Sequence, residues 1–136
     1  MKCLIVEDDR SAQKLMQIYL SDFFECSVAE NGVEALEEVV SSLESGTPYD
    51  LICMDIMMPE MDGMEALEKI RQAESKRGIE GLNCIKVIMT TAKQQSEDIF
   101  GAFRKGCEGY IVKPIRRADL IEQIEKLGLI KIEAVK

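Results

Sequence analysis

The sequence predicts an α/β fold in which five parallel strands form one sheet with helices on both faces. Five short apolar segments rich in β-branched residues end in polar or glycine-bearing turns, and stretches with helical apolar spacing lie between them. Strict alternation of strands and helices indicates a parallel sheet with right-handed crossovers, which is a doubly wound (βα)5 architecture. The predicted strands are residues 3–6, 26–29, 51–54, 85–90 and 110–112.

Amphipathic patterns and capping residues mark the first three helices. Apolar stripes over residues 12–23 and 36–43 predict the first two. The polar, glycine-bearing segment 75–83 predicts a long loop after the third helix. The candidate starting residues are Ser11, Asn31 and the Asp62-Gly63 pair.

The last two helices follow the fourth and fifth strands. Ser96 is a candidate start for a helix over residues 97–105, and a further helix is expected over residues 117–127. Gly106 and Gly128 are suited to ending these helices, because glycine readily adopts the left-handed conformation of a helix C-terminus.

Composition indicates one acidic domain. The chain has 136 residues, of which 46% are hydrophobic, and 17 basic against 25 acidic residues give a net charge of -8. This length and apolar content suit a single packed core, and the negative charge argues against direct binding to nucleic acid. There is no apolar stretch of the roughly 18 residues that a membrane span needs, and no signal peptide. We therefore expect a cytoplasmic domain over residues 1–127 with a short tail over 128–136 and no output domain.

The cysteine and histidine content excludes several chemistries. The five cysteines are odd in number and include no C-x-x-C pair, so we expect most of them to be small buried hydrophobic residues, with room for one exposed reactive thiol. The chain has no histidine. Any mechanism that needs a histidine base, ligand or phosphate carrier within this chain is therefore excluded.

Polar side chains follow four of the predicted strands at one edge of the sheet. Glu7 and Asp8 follow the first strand, Asp55 the third, Thr91 the fourth and Lys113 the fifth. The carboxyl edge of a parallel sheet is where α/β proteins place their chemistry. Like charges crowded there are costly unless something binds them, and hard oxygen ligands suit Mg²⁺. A metal, an ammonium and a hydroxyl together meet the needs of phosphoryl transfer.

Four motifs, in order and each at a strand end, resemble the receiver family of response regulators. The resemblance covers nearly the whole chain, from Lys2 to about Leu127, and implies a flavodoxin-like sheet with strand order 2-1-3-4-5. The matching motifs are Val-Glu-Asp-Asp at residues 6–9, Asp-Ile-Met-Met-Pro-Glu-Met-Asp-Gly at 55–63, Thr91-Ala92, and Gly-Tyr-Ile-Val-Lys-Pro at 109–114.

The resemblance implies a role for each residue of the acidic group. Asp55 would be the phosphoacceptor, taking its phosphoryl group from a phosphohistidine on a sensor histidine kinase or a histidine phosphotransfer protein. Asp8, Asp55 and the main-chain carbonyl of Met57 would bind Mg²⁺ directly, and Glu7 would act mainly through metal-bound water. Since three acidic residues are consecutive, Asp8 with Asp9 is a second possible pair. We favour Glu7 with Asp8 because the apolar strand stops at Val6, which leaves Asp9 a smaller electrostatic share.

The resemblance also implies a switch. Lys113 would pair with one phosphoryl oxygen, the Thr91 hydroxyl would bond another, and Tyr110 would follow Thr91 inward. The Lys113-Pro114 bond would be cis. Hydrolysis is expected to be slow, because the two residues that would flank the attacking water, Met57 and Lys93, cannot hold it in line.

The sequence therefore favours a stand-alone receiver whose output is a downstream protein partner, in a chemotaxis-like or relay role. Such a protein catalyses only its own phosphorylation and slow dephosphorylation. One alternative is an aspartyl-phosphate phosphatase, but the general acid expected two positions after its nucleophile is here Met57. Another is a receiver-like binding module, which would be expected to have lost an acidic residue or the lysine.

Overall fold

The computed structural model, which describes residues 1–92 and 99–131, contains one five-stranded parallel sheet with helices on both faces. The strands are β1 (Lys2–Val6), β2 (Glu25–Ala29), β3 (Leu51–Asp55), β4 (Lys86–Thr91) and β5 (Gly109–Val112). The helices are α1 (Arg10–Leu20), α2 (Gly32–Glu44), α3 (Gly63–Lys76), α4 (Ile99–Arg104) and α5 (Arg117–Lys126). The strand order is β2-β1-β3-β4-β5, with parallel pairing throughout. The predicted fold class and strand order are confirmed, and every strand boundary lies within one residue of its prediction.

Two apolar layers cover the sheet. Alternate residues of β1, β3 and β4 pack against α2, α3 and α4 on one face, and the intervening residues pack against α1 and α5 on the other. β3 is buried along its whole length because both of its faces are covered. Among the described residues, no helix is long and apolar enough to cross a membrane.

Helix capping agrees with the sequence at two starts and differs at one. Asn31 and Asp62 cap α2 and α3, each accepting a hydrogen bond of 2.9 Å from a backbone N–H three residues later. The predicted start at Ser11 is wrong: Asp9 is extended and accepts a 2.9 Å bond from the N–H of Ala12, so Ser11 lies inside α1. The predicted start at Ser96 lies outside the described residues.

The connection after α3 is shorter than predicted. α3 continues through Ser75 and Lys76, and residues 81–83 form a 3₁₀ turn, so the loop predicted over 75–83 is wrong at both ends. Gly78 has a φ of +74°, and the helix therefore persists until a residue that tolerates the left-handed conformation. Gly106 and Gly128 also have positive φ, and they follow α4 and α5 as predicted.

The loop between β3 and α3 is held by two glycines. The Gly63 N–H donates to the Ile56 carbonyl at 2.8 Å, and the Gly32 N–H donates to the Met61 carbonyl at 3.1 Å. A Cβ at Gly63 would collide with the backbone of Asp55 and Ile56. This close approach anchors α3 directly against the end of β3, where Asp55 lies.

Candidate functional site

Three carboxylates converge at the carboxyl edge of the sheet. β1 and β3 pair in register up to Val6 and Met54, so the next residues of each strand, Glu7 and Asp55, leave the sheet side by side. One carboxylate oxygen from each of Glu7, Asp8 and Asp55 lies within 4.8 Å of the others. Glu7 and Asp55 are only 5% and 6% exposed, whereas Asp8 is exposed. The group therefore has a buried base and one side that is open to solvent.

Lys113 connects two of these carboxylates. Its Nζ donates to Oε1 of Glu7 at 2.7 Å and to Oδ2 of Asp55 at 3.0 Å. Its backbone N–H donates to the carbonyl of Thr91 at 2.7 Å, so the end of β4 positions it. The following peptide bond, Lys113-Pro114, is cis, as the family resemblance implied. Three carboxylates and one ammonium leave two negative charges uncompensated when all are ionised.

Burial and pairing act in opposite directions on these charges. Burial raises the pKa of Glu7, and the hydrogen bond from Lys113 only partly offsets this. Burial alone would lower the pKa of Lys113, but its hydrogen bonds to Glu7 and Asp55 outweigh that effect, and its pKa is raised. Lys113 is therefore held in its charged form beside Asp55.

Thr91 ends β4 and has a completely buried side chain. Within residues 1–92 and 99–131, its Oγ1 has no hydrogen-bond partner. A buried hydroxyl without a partner costs roughly 1–3 kcal/mol, so a new oxygen acceptor near the site would be stabilised by it.

Tyr110 lies on the strand next to Thr91. Met89 pairs with Tyr110 and Thr91 pairs with Val112, so Thr91 and Tyr110 point to the same face of the sheet, two residues apart in register. The Tyr110 ring is half-buried and contacts that of Phe103 on α4, with 6.5 Å between centroids. The two residues predicted to form the switch are therefore neighbours.

A family model described as "Response regulator receiver domain" matches residues 3–125. The chain belongs to the response regulator receiver domain family. Proteins of this family are signalling modules of two-component systems. The resemblance drawn from the four motifs is confirmed.

Two relatives are similar to the chain over nearly its whole length. The chain is 38% identical over 125 residues to a Porphyra purpurea protein described as "Probable transcriptional regulator ycf29", covering 91% of this chain and 54% of that protein. It is 37% identical over 128 residues to hybrid signal transduction histidine kinase L of Dictyostelium discoideum, covering 93% of this chain and 7% of the kinase. The chain thus spans about half or less of these two proteins.

A solved structure shows the same fold in a signalling complex. It is a co-crystal of the Saccharomyces cerevisiae histidine phosphotransfer signalling protein Ypd1 with the receiver domain of its downstream response regulator Ssk1, and its TM-score is 0.80. The two sequences are 28% identical, and the alignment covers 94% of this chain and 88% of the matched one.

The position of Asp9 bears on which acidic residues form the receiver's pair. Its carboxylate caps α1, and its backbone N–H donates to Oε2 of Glu7 at 3.1 Å. The Asp9 carboxylate therefore binds the first turn of α1 and lies outside the three-carboxylate group. This geometry supports Glu7 with Asp8 as the pair.

Two further residues, Met57 and Gln13, make hydrogen bonds to the ends of β3 and β1. The Met57 N–H donates to Oδ1 of Asp55 at 3.3 Å, while the Met57 side chain is 55% exposed. Lys93 lies outside the described residues. Sequence reasoning missed Gln13, whose side-chain amide donates to the Glu7 carbonyl at 2.6 Å and so holds the β1 end. The sequence signal for this contact was the position of Gln13 in the first turn of α1, next to the apolar stripe.

The donor set of this receiver fits a hard divalent cation. Carboxylate oxygens are the ligands that Mg²⁺ prefers, and Mg²⁺ keeps several waters while taking one or two protein carboxylates. The exposed side formed by Asp8 leaves room for those waters. The acidic group is thus of the kind at which receiver domains bind Mg²⁺.

We expect Asp8→Asn to weaken Mg²⁺ binding by tenfold or more, and Asp9→Asn to change it less than about threefold. Asn caps a helix about as well as Asp, so Asp9→Asn keeps the start of α1 intact and is a matched control. Isothermal titration calorimetry of both variants measures the difference. The opposite order would show that Asp8 and Asp9 form the acidic pair.

Proposed function

We propose that Asp55 accepts a phosphoryl group from the phosphohistidine of a sensor histidine kinase or a histidine phosphotransfer protein, and that this phosphorylation is the signal the chain carries. The observation that supports this most directly is the hydrogen bond from Lys113 to Oδ2 of Asp55, inside a three-carboxylate group at the sheet edge. A nucleophilic carboxylate, a fixed ammonium and a cation site are the components that phosphoryl transfer uses.

Each side chain has a defined part in the transfer. A carboxylate oxygen of Asp55 forms a bond to phosphorus as the bond from phosphorus to the donor's histidine nitrogen breaks. The ammonium of Lys113, already paired with Asp55, neutralises a phosphoryl oxygen, and the buried Thr91 hydroxyl donates to another. Asp8, Asp55 and the Met57 carbonyl would hold Mg²⁺, with Glu7 acting through water, and the ion would neutralise charge on the transferred group.

The output step uses the same elements. Thr91 and Tyr110 are neighbours on one sheet face, and Tyr110 contacts Phe103 of α4, so movement of Thr91 towards a phosphoryl oxygen changes the packing beneath the α4 surface. We propose that a downstream protein binds the surface of α4, β5 and α5, or that the phosphoryl group passes to a second carrier. In this proposal the chain acts as a cytoplasmic receiver that turns over no external substrate.

Two solved relatives support this choice of partner and cofactor. The Ssk1 receiver is crystallised with Ypd1, which is a histidine phosphotransfer signalling protein. A Borrelia burgdorferi structure, 27% identical with a TM-score of 0.77 and covering 96% of this chain and 90% of the matched one, is a CheX-CheY-BeF3-Mg²⁺ complex.

A labelling experiment tests the proposed function. Purified protein is incubated with acetyl phosphate, or with a phosphorylated histidine phosphotransfer domain, in the presence of Mg²⁺ or of excess EDTA. We expect the intact mass to increase by one phosphoryl group with Mg²⁺ only, and hydroxylamine to remove the group, as it does from an acyl phosphate. A modification that resists hydroxylamine, or no modification with either donor, would contradict the proposal.

A further inference from the structure

Two cysteines face each other across neighbouring strands, away from the acidic site. Cys3 of β1 pairs in register with Cys26 of β2. Both side chains belong to the apolar layer under α1 and α5, so they project from the same face of the sheet. Neighbouring strands are about 4.8 Å apart, which lies within the range of Cα separations that a disulfide can span, about 4.4–6.8 Å.

The two thiols differ in access and in acidity. Cys3 is completely buried, and burial raises its pKa well above the usual value. Cys26 is half-buried on β2, and a hydrogen bond with the Cys3 thiol lowers its pKa to about 7, more than burial raises it. The lowered pKa increases the thiolate fraction of Cys26 near neutral pH. The Cys26 thiol donates to the Phe24 carbonyl at 3.7 Å.

We propose that Cys3 and Cys26 form a peroxide-sensitive dithiol in which Cys26 reacts with the oxidant and Cys3 resolves the product into a disulfide. The Cys26 thiolate attacks one oxygen of hydrogen peroxide, the O–O bond breaks, and Cys26 sulfenic acid and hydroxide form. The Cys3 sulfur then bonds to the Cys26 sulfur as the S–O bond breaks, and the Cys3 proton leaves with the hydroxyl as water. The two thiols lose two electrons and the peroxide gains them.

The location of β2 makes this reaction feasible and reversible. A disulfide needs a Cβ separation of about 3.5–4.5 Å, so the Cys3 and Cys26 side chains must tilt towards each other across the β1–β2 pair. β2 is the first strand of the order β2-β1-β3-β4-β5 and hydrogen-bonds to β1 alone in the part of the chain that the structure describes. An edge strand can accommodate this tilt more easily than a central one. Disulfides formed under strain are readily reduced, so the product is a reversible modification.

Two of the other three cysteines, Cys84 and Cys107, provide internal controls. Cys84 is also half-buried, but burial raises its pKa. Burial raises the pKa of Cys107 to about 11. Since the thiolate is the reacting species, Cys26 should be alkylated about tenfold faster than Cys84 at pH 7.

Peroxide treatment of the reduced, folded full chain tests the proposal. After the reaction, free thiols are blocked with N-ethylmaleimide, and the protein is cut after glutamate without reductant. These cuts place Cys3 in residues 1–7, Cys26 in residues 26–30 and Cys53 in residues 45–60. We expect a cross-linked product of the first two peptides, two hydrogens lighter than their sum, which dithiothreitol converts back to the separate peptides.

Two variants identify the roles. Cys26→Ser, at a half-buried edge position, should abolish the cross-link and leave Cys3 free after peroxide. Cys3→Ala removes both the resolving thiol and the hydrogen bond that lowers the Cys26 pKa, so Cys26 should be oxidised more slowly than in the wild type and only as far as the sulfenic acid, which dimedone traps. The wild type and Cys26→Ser decide the question even if Cys3→Ala fails to fold. The proposal is overturned if Cys26 is no more reactive than Cys84, if wild-type Cys26 is oxidised without linking to Cys3, or if it links to Cys53.

Discussion

Asp55→Asn is expected to abolish phosphorylation by acetyl phosphate or by a phosphorylated histidine phosphotransfer domain. An amide oxygen is a far weaker nucleophile than a carboxylate oxygen, and the substitution also removes the negative charge that pairs with Lys113. The Asn side chain has nearly the same volume, so the buried strand end is preserved. Intact-mass measurement in Mg²⁺ with a time course checks the result, and circular dichroism checks the fold.

Asp62→Asn is the matched control for this variant. Asp62 lies in the same loop and caps α3 through a 2.9 Å bond to the Glu65 N–H, a bond that Asn can also make. This control should be phosphorylated at the wild-type rate. Phosphorylation of Asp55→Asn at a comparable rate would show that another carboxylate is the phosphoacceptor.

Most of the fold could be predicted from local sequence patterns, because each strand is a short apolar segment with polar neighbours. In β3 the apolar run ends at Asp55, and in β4 it ends at the Thr90-Thr91 pair, so the strand ends and the side chains beyond them could be read together. Parallel pairing then aligned these ends at one edge. The convergence of Glu7, Asp55 and Lys113 was predictable for that reason.

Two kinds of feature could not be predicted from local patterns: those that depend on the direction of the chain after a strand, and those that depend on contacts between residues far apart in the sequence. Asp8 and Asp9 are chemically identical, and only the chain direction after β1 decides that Asp9 caps α1. The length of α3 depends on where the chain meets Gly78, since residues 75 and 76 are themselves compatible with a helix. The hydrogen bonds of Arg71 join residues 35 and 37 positions away, and no local pattern predicts them.

Arg71 forms the most extensive polar network described in the chain. Its Nε and Nη2 donate to the Gly106 carbonyl, and Nη1 donates to Glu74 at 2.6 Å and to the Ile85 carbonyl at 2.8 Å. Nη2 also donates to both oxygens of Glu108 at 2.9 Å. Glu74 is completely buried and also accepts from the Ile85 N–H. One guanidinium therefore links α3 to Ile85, the residue before β4, and to the segment that leads into β5.

Arg71→Met is expected to lower the free energy of unfolding by about 3–5 kcal/mol, because it leaves the buried Glu74 carboxylate and two carbonyls without this partner. Stabilities of small domains are about 5–15 kcal/mol, so this is a large fraction of the total. Arg77→Met is the control: Arg77 is at the C-terminal end of the same helix and donates to the Ala73 carbonyl at 3.1 Å, so its loss should cost less than about 1 kcal/mol. Urea unfolding of both variants measures the difference.

A double variant separates loss of the network from loss of side-chain packing. Arg71→Met combined with Glu74→Met removes both the guanidinium and the buried carboxylate that it compensates. If the unpaired charge is the main cost, the double variant should recover stability relative to Arg71→Met alone, because replacing both members of a buried ion pair by apolar groups is often close to neutral. A double variant less stable than Arg71→Met would instead assign the loss to packing and to the Ile85 N–H, which loses the Glu74 acceptor.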